Sequence, residues 1–287
     1  MPLNSYQKLC YKWFGRITEN TVTDKMKDDL EKAHMDMRAG AYLSFVWVNT
    51  ILAAIILSVV ILILILVLSA NLLMILSLLL IPVLGTIFCY FFLMSYPASK
   101  AKARAKKIDL HLPYALNFIA AMSSAGITPT EIFKSLSKQN IYGEIREEAL
   151  WIYRDVGLLG RDIISAMKAN IKRTPSEKFK EFLQGAVVTV QSGGALKSYF
   201  MTKADQYMRE NRVHQKQLIE SLGIMAEAYV TAAVAGVLLI LIILPLLMII
   251  SHADPSQLLI IYVFSFIVVP LIHVGFAVVL SSMSAKV

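Results

Sequence analysis

Two hydrophobic patterns alternate along this chain. From Ala41 to Ser99 there is no Asp, Glu, Lys or Arg. One membrane crossing needs roughly 20 apolar residues. The run therefore predicts two spans, over 43–68 and 72–96, joined at the polar triplet Ser69-Ala70-Asn71. A second apolar pair follows near the C-terminus, over 224–250 and 258–283, separated by Ser251–Gln257. Pro82, Pro245 and Pro270 interrupt three of the four runs. Membrane helices tolerate this where neighbours satisfy the carbonyls that proline frees. The first forty residues lack the apolar stretch and cleavage site of a signal peptide.

Between the two pairs the pattern changes to short amphipathic stretches. Apolar residues at three- and four-residue spacing predict six helices, over 112–125, 129–138, 144–157, 161–172, 175–191 and 195–222. Leu112, Leu116, Ile119 and Met122 form the stripe of the first, and Phe179, Phe182, Ala186 and Val190 that of the fifth. Thr128-Pro-Thr-Glu131 and Thr174-Pro-Ser-Glu177 both read as capping boxes with proline at the first helical position. Gly126, Gly143, Gly157, Gly160 and Gly193-Gly194 fall at the joints, and Pro113 reads as a helix start. No strand pattern appears. The expected fold is an all-α integral membrane protein, with four transmembrane helices flanking a cytoplasmic six-helix domain over 97–222.

An arm over 1–42 precedes the spans. In its first part Leu3, Tyr6, Leu9, Trp13 and Phe14 share a face, while Lys8, Lys12 and Arg16 lie on another. Two readings fit: a helix resting on the anionic inner leaflet, or one packed on the protein's own cytoplasmic domain. In its second part Val22, Met26, Leu30, Ala33 and Met37 recur at helical spacing, a helix expected to lead directly into the first span.

Charge sets the topology. All 28 Lys and Arg residues lie in the arm, in 97–222 and at Lys286, with none in the two short loops on the other side. Positive charge marks the cytoplasmic side. A multi-pass protein of the cell membrane with both termini in the cytoplasm follows. Almost nothing projects outside, which excludes a receptor with an external ligand domain. Lys100, Lys102, Arg104, Lys106 and Lys107 lie just beyond the second span and are expected at lipid head groups. Basic and acidic residues are mixed along every helix of the central segment, without a basic-aromatic groove, so nucleic acid is not an expected partner.

Candidate chemistry is sparse. The chain has no GxxxxGK[ST], HExxH or GxSxG. Cys10 and Cys89 lack metal-ligand spacing. No catalytic, cofactor or metal site is expected, and the chain does not read as an enzyme. Gln191-Ser-Gly-Gly194 before a helix could bind an anion, or simply make a turn. His273 within the fourth span and Glu227 near the start of the third define an alternative, a transporter or permease subunit; a histidine hydrogen-bonded between helices is the plainer reading.

The order of these elements resembles one family. "LPYALNFIAAMSSAGITPTEIFKSL" over 112–136 is similar to the opening of the type II secretion system F domain. The stretch from Tyr142 to Phe200 and the later "AEAYV" over 226–230 resemble its archaeal branch, which serves type IV-like pili and archaella. The resemblance covers about 100–250. It implies a non-enzymatic platform that couples a hexameric secretion ATPase to pilin-like subunits. One F domain, where the archaellum form has two, implies a homodimer or a second platform subunit. An ATPase would meet the membrane-distal joints of the domain. Lys134, Arg154, Arg161, Asp162, Gly193, Gly194 and Lys197 are the expected docking residues.

Overall fold

The computed structural model describes residues 5–35, 37–68, 72–250, 259 and 261–284, and the two short loops at 69–71 and 251–257 lie outside that set. The described residues are helical, with no strand. Four helices are long and apolar enough to cross a membrane: Ala39–Ile65, Leu80–Ser124, Leu196–Leu246 and Ile261–Ser281. The chain is thus a multi-pass membrane protein. It divides into two compact units, Met1–Met208 and Arg209–Val287.

In the first unit α1 (Ser5–Thr18) and α2 (Asp24–Lys32) form the arm, and α3 (Ala39–Leu68) is the first span. α2 does not run on into α3. His34 breaks it at φ 52°, and the chain turns before Ala39. Met26, Leu30 and Ala33 of the predicted stripe are buried. Met26 and Leu30 pack with Tyr42, Leu43 and Val46 of α3.

The second span does not stop where the basic run begins. α4 is a single helix from Leu72 to Ser124, 53 residues with Pro82, Pro97 and Pro113 inside it. Pro97 has no N–H, so the carbonyl of Leu93 loses its helical partner. The Tyr42 hydroxyl of α3 donates to that carbonyl at 2.7 Å. Pro113 likewise does not begin a helix. It lies within a stretch whose Ile108, Leu112, Ala115, Leu116 and Ile119 enter the domain core. Proline inside a helix costs ~3 kcal/mol or more, and burying each large apolar side chain returns ~1.5–3 kcal/mol. The packed stripe therefore outweighs the break.

The rest of the unit comprises α5 (Pro129–Ser137), α6 (Glu144–Gly157), α7 (Ile163–Arg173), α8 (Glu177–Gln191) and the start of α9 (Leu196–Ala228). With the end of α4 they enclose one core, in which Phe133, Phe179, Phe182 and Phe200 are fully buried. Gly185 is required in α8, because a β-carbon there would collide with the Tyr199 hydroxyl. That hydroxyl donates to the Phe182 carbonyl at 2.8 Å, and burial pushes it up to about 12.

The two capping boxes resolve differently. Thr128 stands at the N-cap of α5 in extended conformation, but its side chain makes no cap bond. α8 begins at Glu177, and its cap is Ser176, whose Oγ accepts the Phe179 N–H at 3.0 Å and donates to Asp109 of α4. Thr174 instead ends α7, buried, its hydroxyl without a partner.

In the second unit α9 continues into a π-helical stretch, Tyr229–Ala235, and then α10 (Gly236–Ile250). A second π-helical stretch, Phe264–Val268, precedes α11 (Val269–Ser284). Tyr229 meets His273 and Phe276 edge-on at 5.8 and 5.3 Å.

Candidate functional site

The residues expected to dock a partner lie at the ends of the domain helices. Lys197 of α9 donates to the Ser124 carbonyl at the end of α4, 3.1 Å away. This brings the α4–α5 and α8–α9 joints together. Gly126 and Gly193 turn the chain there at φ 79° and 74°, a conformation that glycine adopts without strain. The Gly193 and Gly194 amides donate to the Val190 and Thr189 carbonyls at 3.0 and 2.8 Å. They close α8, which leaves them unsuited to bind an anion.

Asp162 caps α7, accepting the Ile164 N–H at 3.0 Å. Arg161 stays half exposed and reaches Asp155 at 3.4 Å. Arg154 is exposed. Lys134 pairs with Glu131 at 3.0 Å and stands 6.0 Å over the Tyr153 ring. The hydrogen bond to Glu131 raises its pKa.

Sequence reasoning named the Gly157-Leu158-Leu159-Gly160 joint but assigned contact only to its flanking charges, not to Leu158 and Leu159. They fill the α6–α7 joint and are 73% and 62% exposed. Two leucines between glycines and flanked by Arg154 and Arg161 are the signal that was available: apolar side chains at a turn that no helix stripe claims. An exposed apolar pair rimmed by charge is the composition of a protein contact.

The expected lipid-facing set separates. Lys100, Lys102, Lys106 and Lys107 are exposed. Arg104 is not available to head groups, because only 8% of it is exposed. Its guanidinium pairs with Glu144 at 2.9 Å and Glu148 at 2.7 Å, and donates to the Lys32 carbonyl at 3.2 Å. The physical reason is register: Ala101, Arg104, Ile108 and Leu112 form one buried stripe along α4.

A charge cluster surrounds that arginine. Arg173 of α7 pairs with Asp155 of α6 at 2.8 Å and lies 4.5 Å over the Trp151 ring, which His34 meets edge-on at 5.2 Å. Burial pushes the Glu148 carboxyl up, and Arg104 offsets only part of that. The cluster binds the arm, α4, α6 and α7 together. Its carboxylates and guanidiniums pair with one another.

His273 hydrogen-bonds the Val269 carbonyl through Nδ1 at 2.8 Å. Glu227 is exposed on α9. Among the described residues no hydrogen bond or ion pair joins the two, and no group of three or more His, Cys, Asp or Glu is placed to hold a metal.

Comparison with known proteins gives these positions a context. Residues 115–244 match the sequence model of the family described as type II secretion system (T2SS), protein F. An uncharacterized protein of Methanocaldococcus jannaschii is 37% identical over 137 residues, 48% of this chain and 23% of its own length. Flagella accessory protein J of the same organism is 26% identical over 158 residues, 54% of this chain and 28% of its own. Flagella accessory protein J of Methanococcus voltae is 24% identical over 140 residues, 48% and 25% of the two chains. The match thus spans about a quarter of each relative's length. No solved structure matches the chain.

Proposed function

We propose, from the match of residues 115–244 to the type II secretion F-domain model, that this chain is a non-enzymatic assembly platform of a type IV-pilus-like or secretion machine. In this reading a cytoplasmic secretion ATPase docks on the exposed joints, and its movement reaches pilin-like subunits through the spans. A homodimer or a second platform subunit completes the assembly.

One observation carries the reading: the continuity of α4. A single helix holds the apolar span at one end and the core stripe Ile108–Ile119 at the other. Displacement of the domain is therefore displacement of the span. A flexible linker would absorb it, whereas a continuous helix acts as a semi-rigid spacer. Arg104 adds a lateral pin, tying α4 to α6 and to the arm.

Leu158 and Leu159, with Arg154, Arg161 and Lys197, form the docking set. Charge sets the register of such a contact, and buried apolar side chains supply most of its affinity. The test is co-purification of the detergent-solubilised full chain with a secretion ATPase from the same cells. Arg161→Glu/Lys197→Glu and Leu158→Asp/Leu159→Asp should each lower recovery by about tenfold or more, with membrane insertion intact. Lys102→Glu/Lys106→Glu should leave recovery near wild type. If the joint variants bind as wild type and the 102/106 pair does not, the docking face lies next to the membrane and the reading fails.

A further inference from the structure

The arm helix α1 has a surface that the platform reading does not use. It lies against the first turns of the first span. Thr18 Oγ shares a 2.8 Å hydrogen bond with Ser44 Oγ and donates to the Gly40 carbonyl at 3.1 Å. Phe14 meets Trp47 at 6.2 Å, and the Tyr6 hydroxyl reaches Asn49 Oδ1 at 3.4 Å. Gly40 and Asn49 are separated by about 14 Å along a helix. α1 therefore runs beside that first stretch of the span.

Rotation about α1 separates three sectors. Cys10, Phe14 and Thr18 face α3 or are buried beside it. Leu9, Trp13 and Ile17 follow at four-residue spacing, all exposed, Trp13 by 74%. Lys12 and Arg16 come next, also exposed. Beyond Asn49 on α3, Ile51, Leu52 and Ile55 are exposed. An apolar stripe on a helix packed against a membrane span, bordered by cations on its far side, suits a lipid leaflet. Its aromatic and aliphatic groups suit the interface, and the cations suit phosphate head groups.

We infer that α1 is an interfacial foot. Leu9, Trp13 and Ile17 enter the leaflet beside the first span, and Lys12 and Arg16 hold acidic phospholipid. This requires only that α3 crosses the bilayer, and it stands or falls apart from any ATPase contact.

The test uses the full chain reconstituted in phosphatidylcholine vesicles, with or without about a third phosphatidylglycerol. The Trp13 signal is the difference between wild-type and Trp13→Phe fluorescence. In the acidic vesicles, lipid brominated near the head group should quench it at least about twofold, and aqueous acrylamide should reach it several-fold less than a free indole. Lys12→Glu/Arg16→Glu should reverse both effects, as should omission of phosphatidylglycerol in part. Quenching by acrylamide alone would mean the stripe faces water, and shielding from both quenchers would mean that protein covers it. Either result overturns the assignment. Bromolipid quenching unchanged by the charge reversal and by lipid charge would overturn the acidic-lipid contact.

Discussion

Removing the Arg104 guanidinium would strand two carboxylates, Glu144 and Glu148, the second only 3% exposed. Breaking one side of a buried pair costs ~3–5 kcal/mol, so Arg104→Met should lower the unfolding stability of the detergent-solubilised protein by about that much. Glu148→Gln should behave differently. The folded carboxyl titrates above its ordinary value near 4.5, so the native state holds that proton more readily than the unfolded chain. Its contribution is complete below that value and is lost as pH rises through the folded pKa. Stability relative to Glu148→Gln should therefore fall with rising pH across that window. A difference that stays flat with pH would show that Arg104 fully compensates the burial. The inward turn of Arg104 was partly legible. It lies at helical spacing from Ile108 and Leu112, but only if the stripe is followed upstream through a run of five cations, where solvation is the default expectation.

Each long apolar run became a helix where the pattern placed one, since nothing but an internally bonded backbone survives in lipid. Continuity was harder to read than existence. Pro113 and the basic run both look like boundaries in one dimension. Only the three-dimensional core shows that the same face stays buried on either side of them. Caps posed a similar problem. Thr174-Pro-Ser-Glu177 offers two hydroxyls two residues apart, and local sequence cannot choose between them. Asp109, 67 residues away in the chain, decides it by accepting from Ser176. Ser176→Ala should thus cost about 1 kcal/mol or somewhat more, as for a lost N-cap. Thr174→Val should be near neutral, because its hydroxyl is buried without a partner. Equal losses in thermal unfolding of the two variants would return the cap to Thr174.

For the molecule as a whole, two spans between the arm and the helical domain, with every Lys and Arg outside the two short loops, predict that arm and domain share a compartment. An impermeant maleimide applied to intact cells should label Ser256→Cys, in the sequence loop between the last two spans, and leave Ser198→Cys unlabelled. External labelling at position 198 would invert the topology. The domain's apolar stripes were legible because each is local. The joint over 157–160 was visible in the sequence as two leucines between glycines, but only the fold shows that Leu158 and Leu159 stay exposed. The Pro97 joint has a mechanical consequence. A beam lacking one internal tie yields first at that point. In α4 the tie is supplied from outside, by the Tyr42 hydroxyl on the Leu93 carbonyl. The stiffness of the 53-residue helix at that turn thus belongs jointly to two spans, so that neither flexes at that level without straining the other.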